Sequence, residues 1–286
     1  MIKYLYMCSG MIALYSLFMM LHKIFAGMRI NMNYQTLFRT AMLAGEIMAQ
    51  SGAETYRVED TMTRILKFSG LQSVEVYATT TGIVATLSDP RIEPITGVKR
   101  ISNRSTNLSR INDVNQVSRN ICSGCMEPEE AIRCLEEIRK KRTYSDPVLA
   151  AATLISMAGF VGLFGGSFMD CLIASLNGVF IVLIGKLSEN RVGSAFIVDM
   201  VKCFVLAYLT MICTKYFAGT SQNLIIIGSI MPLVPGVPIT NAIRDTLQGD
   251  YNSGTARAME AFVISLGIAV GVGLGIGLFN FVERMM

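Results

Sequence analysis

The residues best suited to bind a small molecule lie between Met231 and Asp245, inside otherwise apolar sequence. Prolines at 232, 235 and 238, together with Gly236, exclude an uninterrupted helix there. Non-helical backbone at membrane depth is tolerated only where it is buried in protein or lines a wet cavity. Thr240 or Asn241 is expected to cap a restarting helix whose amides would face an anion. Arg244, one turn further, would hold a carboxylate.

This pattern is typical of the broken helices that form substrate sites in transporters. The alternative is a cytoplasmic loop that leaves the membrane through a proline turn, because the same residue types signal turns. On the first interpretation, six residues form the predicted substrate-binding or gating group: Pro235, Gly236, Thr240, Asn241, Arg244 and Asp245.

Ionisable residues inside apolar segments are a second candidate group. A charge at the centre of a membrane costs about 2.5–3.5 kcal/mol on insertion scales, so such residues are functional candidates by default. Asp170, Asp199 and Glu260 are the predicted proton- or ion-coupling residues. Two alternatives remain open: Asp170 and Glu260 lie near segment ends, in the headgroup layer, and Asp199 is three residues from Lys202, with which it can pair.

The composition explains why membrane chemistry is considered first. The 286 residues are 52% hydrophobic and only 16% charged, with a mean hydropathy of +0.47, whereas soluble domains carry about 25% charged residues. The net charge of +4 is too small to indicate nucleic-acid binding. The single histidine, His22, argues against histidine-based catalysis and histidine-rich metal sites. No nucleophile or phosphate-loop motif occurs, so no catalytic residue, cofactor, metal site or enzyme activity is predicted.

The distribution of charge divides the chain into two expected domains. Residues 29–145 are charge-rich and predict a cytoplasmic α+β domain, whereas residues 146–286 predict an all-α polytopic membrane domain of about five transmembrane helices. Residues 1–28 form an apolar segment that is either an extra membrane helix or the result of a misassigned start, with Met28 and Met32 as alternative starts.

The positive-inside rule gives the expected orientation. It places the N-terminal domain in the cytoplasm of a multi-pass protein of the cell (plasma or inner) membrane. The basic residues expected on the inner side are Arg139–Arg142, Lys186, Arg191, Arg244 and Arg257, and those on the outer side are Lys215 and Arg284.

Two further motifs have mainly structural explanations. Cys122 and Cys125 form a C-x-x-C pair, but a zinc site would need a second pair, and a redox role lacks its confirming context. The glycines of Gly271–Gly277 lie in an apolar segment without a preceding strand and turn, so they indicate close helix packing rather than dinucleotide binding.

The most polar stretch of the N-terminal domain is SGAETYRVEDTM, residues 51–62. Ser51 and Glu54 match the capping-box spacing, which predicts a helix that begins at Ser51 with acidic groups in its first turn. Glu54 can pair with Arg57, and Asp60 with Arg64. Val58, Met62 and Ile65 would form the buried face.

Several stretches together resemble the threonine/serine exporter family, and especially its short, YjjP-type members. The matching stretches are Ser51–Asp60, Thr81–Ile83, Arg100–Ile101, Asn107–Leu108, Asn115 with Ser118–Arg119, Pro235–Asp245, and Gly249–Gly254 with Arg257 and Glu260. The residues so marked in the cytoplasmic domain are Ser51, Gly52, Glu54, Arg57, Thr81, Arg100, Asn115 and Arg119. Whether Glu54 and Arg57 contact substrate or brace the domain is left open.

The resemblance implies a secondary exporter, not an enzyme. Short members are expected to export dicarboxylates such as succinate, together with a small YjjB-type membrane protein as their second half in a hetero-oligomer. Long members are expected to export threonine and serine. Two alternatives remain: a membrane-anchored sensor or enzyme whose cytoplasmic domain binds a small metabolite, and an assembly subunit with no pore of its own.

Overall fold

The computed structural model describes residues 33–102, 104–141, 144–188 and 195–286. The apolar segment 1–28 and Arg191 lie outside the described residues. The chain divides into two compact units after Lys141. The N-terminal unit combines helices with a small sheet, and the C-terminal unit is entirely helical within the described residues. The structure is thus mostly helical.

The N-terminal unit begins with two helices joined by a tight turn. Helix α1 spans Tyr34–Gln50 and is capped by Asn33, whose side chain accepts from the Thr36 amide. Helix α2 spans Thr55–Lys67, and its expected buried face, Val58, Met62 and Ile65, is at most 1% exposed. The expected apolar stripe of α2 is thereby confirmed.

A three-stranded antiparallel sheet follows, in the order β1-β2-β3. Strand β1 is Ser73–Ala78, β2 is Gly82–Asp89 and β3 is Ile92–Arg100. Strands β1 and β2 pair directly, with Tyr77 opposite Val84. Burial on β2 alternates, with Ile83, Ala85 and Leu87 facing the core, as expected for a sheet covered on one face.

Two more helices complete the core of this unit. Helix α3 spans Leu108–Cys122, with Asn107 as its N-cap, and α4 spans Pro128–Lys140, with proline in its first turn. The largest fully buried side chains of the N-terminal unit are Leu37, Ile47, Met48, Met62, Ile65, Leu66, Ile83, Leu87, Ile121 and Leu135. The helices pack around the inner face of the sheet through this single cluster.

The predicted capping box at Ser51 is wrong. Ser51 is the C-cap of α1, and α2 starts only at Thr55, with Glu54 as an N-cap that makes no side-chain cap bond. Gly52 has φ +82°, a conformation that favours glycine, so the backbone turns sharply between the two helices. The turn is also held by the loop before α3, because the Asn107 amide donates to Ser51 O. The acidic first turn expected for α2 is likewise absent.

Four long helices and one broken helix form the described part of the C-terminal unit. Helices α5 (Asp146–Leu163), α6 (Phe168–Ser188), α7 (Ala195–Tyr216) and α10 (Tyr251–Met285) are each long and apolar enough to cross a membrane. Helix α8 (Gln222–Ile230), a 3₁₀ turn (Met231–Leu233) and α9 (Gly236–Leu247) form a pair bent by 56°. The described residues thus contain four candidate spans, or five if the bent pair counts as one.

Contacts near the helix ends show that successive spans alternate in direction. Lys186 at the end of α6 lies 3.7 Å from Asp146 at the start of α5. Lys215 at the end of α7 lies 3.1 Å from Glu283 at the end of α10, so these two helices run parallel. Helices α7 and α10 are expected to run parallel if the bent pair between them counts as one span, which gives five spans from α5 to α10.

Glycines allow α7 and α10 to pack with their backbones in contact. A Cβ added to Gly275 would lie 2.6 Å from Phe204 O, and one added to Gly271 would lie 2.9 Å from Cys203 Cβ. Gly273 and Gly277, between these positions, have no neighbour within 4 Å. The expected packing role of the glycine run is confirmed for the face that carries every fourth residue.

Candidate functional site

Three polar side chains from three spans meet in the core of the C-terminal unit. Asn177 on α6, Thr210 on α7 and Ser229 on α8 are each at most 1% exposed. Asn177 Nδ2 donates to Thr210 Oγ1 at 2.9 Å and lies 3.5 Å from Ser229 Oγ. Apolar residues of the core of the C-terminal unit, among them Met157 and Ala174, surround the cluster.

The hydrogen bonds determine which way the Asn177 amide points. The Thr210 hydroxyl donates its one hydrogen to Leu206 O at 2.8 Å, so it must accept from Asn177. Nδ2 therefore faces Thr210, and Oδ1 is left buried without a hydrogen-bond partner among the described residues. An unmet buried acceptor costs about 1–3 kcal/mol, which a donor from water or a bound solute would offset.

The broken span lies directly beside this cluster, because Ser229 is in the last turn of α8. Two prolines follow the end of α8: Pro232 lies in the first turn of the 3₁₀ helix, and Pro235 is the N-cap of α9. At these positions the backbone N–H that proline lacks is not required for a helical hydrogen bond. Gly228, one residue before Ser229, packs so closely that an added Cβ would lie 2.8 Å from Val161 N on α5. The break thus begins where α8 is pressed against α5.

The expected cap of the restarting helix is wrong. Helix α9 begins at Gly236, and Thr240 and Asn241 lie in its second turn, where the Thr240 hydroxyl donates back to Gly236 O. Prolines and glycine favour an earlier start because Pro235 has a fixed φ that suits the position before a helix. The Gly236 amide bonds to Val234 O, and Pro238 has no amide hydrogen, so the first turn offers few donors to an anion.

The six residues of the predicted substrate group differ in their exposure to solvent. Pro235, Asn241 and Asp245 are buried, whereas Gly236, Thr240 and Arg244 are exposed within this unit. Asp245 lies 2.8 Å from Arg257 Nε on α10, although that N–H is not directed at the carboxylate, so the contact is chiefly electrostatic. The buried carboxylate of Asp245 thus has a guanidinium from the next helix as a close neighbour.

Asp170 is a structural cap at the start of α6. Its carboxylate accepts the Ser167 amide at 2.8 Å and the Ser221 amide at 2.9 Å, while the Ser167 hydroxyl accepts the Asp170 amide. This reciprocal pair is a capping box, and the bond to Ser221 fastens the start of α8 to the start of α6. Asp170 is 2% exposed.

The other two predicted coupling residues lie on α7 and α10. Asp199 is paired with Lys202 at 3.0 Å, as the spacing of three residues allows, and both are partly buried. Glu260 is half-buried on α10, one turn after Arg257. The structure does not bring Asp199 and Glu260 into the Asn177 cluster.

The residues of the N-terminal unit that carry the family resemblance lie at three places in the fold. Ser51 and Gly52 form the turn after α1, and Thr81 and Arg100 lie at one end of the sheet, where Thr81 O accepts the Ile101 amide. Glu54 lies 3.4 Å from Arg57, which confirms that pair. A groove between α2 and α3 has Arg57, Asn115 and Arg119 in its wall.

Sequence reasoning pointed to the broken span but missed the Thr210 and Ser229 hydroxyls. The available signal was the presence of polar residues in the apolar stretches that contain Asn177, Thr210 and Ser229. Hydroxyls can bond to their own helix, so the sequence positions of Thr210 and Ser229 did not show that both converge on Asn177. No group of metal-ligating side chains that could hold an ion occurs among the described residues.

Comparisons with known proteins agree with a transporter. A family model described as "Putative threonine/serine exporter" (ThrE) matches residues 39–279. A "Probable threonine/serine exporter" of Mycobacterium tuberculosis is 26% identical over 78% of this chain and 42% of its own length. A "Threonine/serine exporter" of Corynebacterium glutamicum is 23% identical over 78% of this chain and 47% of its own length. This chain thus spans about half the length of these relatives.

A shorter relative matches along most of its length. A "Probable succinate transporter subunit YjjP" of Klebsiella aerogenes is 24% identical over 77% of this chain and 84% of its own length. No solved structure matches this chain significantly. With several apolar helices and a family match over most of its length, this membrane-spanning chain belongs to the threonine/serine exporter family, a family of transporters rather than enzymes.

Proposed function

We propose that this chain is one subunit of a secondary exporter that moves small carboxylates, such as succinate-like dicarboxylates, or threonine and serine out of the cell. The observation that carries the proposal is the Asn177–Thr210–Ser229 cluster, which holds an unmet acceptor beside the break in α8–α9. Broken helices beside buried polar groups are typical of transporter substrate sites. The polar backbone of the break and the cluster together supply hydrogen bonds that a solute needs after it leaves water.

The second half of the transporter is proposed to be a separate small membrane protein of the YjjB type. Two relatives that this chain covers along most of their length are named transporter subunits. The long relatives are about twice the length of the matched region. A hetero-oligomer would supply the spans that the long relatives carry in one chain.

The N-terminal unit is proposed to be cytoplasmic. Lys186 and Asp146 lie at the same end of the helical unit, and Arg244 and Arg257 flank the α9–α10 turn. The positive-inside rule places these ends in the cytoplasm. With five spans, the C-terminus after α10 would be outside, which a C-terminal reporter enzyme that is active only outside the cytoplasm would detect.

Coupling to protons or ions is proposed to involve Asp199 or Glu260 rather than Asp170. The Asp170 carboxylate is occupied by two backbone amides that hold the starts of α6 and α8 together. Asp199 and Glu260 lie on the closely packed pair α7 and α10, where a change of charge would alter helix packing. Asp199→Asn should reduce export at normal membrane levels, and unchanged export would refute this role.

The experiment that tests the proposal is efflux from cells that lack their own exporters. Cells would be loaded with labelled succinate, threonine or serine and would express this chain with or without the YjjB-type partner. Efflux that needs both proteins supports a two-part exporter and identifies the substrate class. Absence of efflux for all three, with both proteins present in the membrane, would contradict the proposal.

A matched pair of variants links efflux to the buried cluster. Asn177→Ala removes the central amide, whereas Thr153→Ala removes a partly buried hydroxyl on α5 that bonds Leu149 O of its own helix. We expect Asn177→Ala to reduce efflux and Thr153→Ala to leave it unchanged. Equal rates in both variants would place the transport path elsewhere.

A further inference from the structure

Two polar helix faces form a groove on the N-terminal unit. On α2 and on α3 the lining residues recur at the helical spacing of three and four, so each helix presents one continuous polar stripe. The groove has a volume of about 220 Å³, room for several water molecules at about 30 Å³ each. Its lining residues are Arg57, Asp60, Thr61 and Arg64 from α2, and Asn115, Ser118, Arg119 and Cys122 from α3.

The groove carries an excess of positive charge. Arg57 lies 3.4 Å from Glu54, and Arg64 lies 2.9 Å from Asp60, so two of the three guanidinium groups have a carboxylate neighbour. Arg119 is exposed, and its guanidinium forms no hydrogen bond or ion pair within the part of the chain that the structure describes. One guanidinium in the groove wall is therefore not neutralised.

The polar groups around Arg119 are arranged to donate. The Thr61 hydroxyl donates to Asn115 Oδ1 at 3.4 Å, which turns the Nδ2 hydrogens of Asn115 away from Thr61. Guanidinium groups can only donate, and their planar fork fits the oxygens of a carboxylate or phosphate. The groove thus combines a net positive charge with donors from two helices.

We propose that this groove binds a compact oxyanion, a carboxylate or phosphate group of a small metabolite, with Arg119 as its principal contact. Arg57 and Arg64 would contribute long-range attraction, and Asn115 an amide hydrogen bond. The site lies on the N-terminal unit and is independent of the polar cluster among the membrane helices. It gives this unit a ligand of its own.

Cys122 provides a direct readout, because its thiol lies in the groove wall. Burial raises the pKa of the Cys122 thiol, so alkylation is best measured near pH 8.5. Cys125 is also exposed but is not part of the groove lining. The full-length protein in detergent would be used in two forms, Cys125→Ser to report on Cys122 and Cys122→Ser to report on Cys125. Alkylation would be measured on the peptide that carries these two positions, because the chain has other cysteines.

The rate of maleimide alkylation would be measured with succinate, inorganic phosphate or threonine, and with potassium chloride at matched ionic strength. At a ligand concentration about ten times Kd, alkylation of Cys122 should slow by about tenfold, since only the empty groove reacts. Cys125 should be unaffected. Protection by succinate but not phosphate assigns a carboxylate ligand, and the reverse assigns a phosphate ligand.

Matched variants test the role of the unpaired arginine. Arg119→Gln should weaken protection by about tenfold through loss of a charge-assisted hydrogen bond. Arg133→Gln, which removes an exposed arginine on α4 outside the groove, should leave protection unchanged.

The proposal is overturned if neither succinate nor phosphate protects Cys122, if both cysteines are protected equally, or if potassium chloride at matched ionic strength protects as well as the anions. The wild-type groove is tested by the protection assay itself, so the result does not depend on whether Arg119→Gln folds. Because no transport is measured, failure here leaves the export proposal untouched.

Discussion

The carboxylate of Asp245 and the guanidinium of Arg257 lie 2.8 Å apart, with their side chains 0% and 10% exposed. Asp245 is near the end of α9 and Arg257 is in the second turn of α10, so the pair joins the two helices across the turn between them. Gly254 allows this closeness, because a Cβ there would lie 3.1 Å from Ala242 O. Two stretches that carry the family resemblance meet in this one contact.

Removing one partner of the pair should destabilise the helical unit strongly. Asp245→Asn or Arg257→Gln breaks this buried pair, a loss of about 3–5 kcal/mol. Thermal unfolding in detergent would measure this. The double variant should be more stable than either single variant, because it leaves neither charge buried.

The matched control is the exposed pair of Lys215 and Glu283, which lie 3.1 Å apart with side chains 42% and 48% exposed. Exposed pairs contribute about 0–1 kcal/mol. Lys215→Gln should therefore change unfolding little. A loss as large as that of Arg257→Gln would show that burial does not explain the difference.

Asn177→Leu should separate stability from transport. Leucine removes the unmet acceptor Oδ1, whose burial costs about 1–3 kcal/mol, at the expense of the bond to Thr210. Unfolding should therefore stay within about 1 kcal/mol of wild type, whereas efflux should fall. A strongly destabilised variant, or one with normal efflux, would show that the amide serves only to hold the helices.

Gly228→Ala should loosen the contact between α8 and α5. Its Cβ would meet the Val161 side chain and lie 2.8 Å from Val161 N, and overpacking costs about 1–3 kcal/mol. Gly273→Ala is the control, because nothing lies within 4 Å of its Cβ position and alanine favours helix by about 1 kcal/mol. Thermal unfolding should thus shift in opposite directions.

The turn between β2 and β3 should lose stability in acid. Arg91 donates to both oxygens of Asp89, and these bonds lower the pKa of Asp89 below its usual value. A carboxylate whose pKa is lowered by folding stabilises the fold above its unfolded pKa of about 3.9, and this stabilisation is lost as the pH falls below that value. Hydrogen exchange of the Gln72 and Arg91 amides, corrected for intrinsic rates, should rise below about pH 4.

Asp89→Asn provides the comparison for this pH effect. Asparagine keeps one acceptor oxygen, so it can serve only one of the Gln72 and Arg91 amides, which bond to different oxygens of Asp89, and it cannot titrate. The variant should therefore exchange faster at neutral pH and show a weaker acid dependence. An unchanged acid response would assign it to other carboxylates of the unit.

Local patterns were sufficient for most elements of the structure. The spacing of Val58, Met62 and Ile65 predicted the buried face of α2, and the apolar residues 146–286 predicted about five spans, where the structure has four candidate spans and one bent pair. These features depend on interactions between residues close in sequence. The same holds for the pairs Glu54–Arg57 and Asp199–Lys202, each three residues apart on one helix.

Helix starts were less predictable because one residue type suits several positions. Ser51 matched an N-cap spacing, yet it ends α1, because the loop before α3 docks on its carbonyl. Thr240 and Asn241 matched a cap as well, but Pro235 starts α9 earlier.

Composition and local spacing alone showed that this chain crosses a membrane, carries an N-terminal α+β region and breaks one span at its prolines. Only the tertiary structure brought Asn177, Thr210 and Ser229 together and paired Asp245 with Arg257. The physical reason is that a buried polar group is satisfied by whichever partner the packing of helices places nearby. That partner can be 33 or 52 residues away, a separation at which local sequence patterns carry no information.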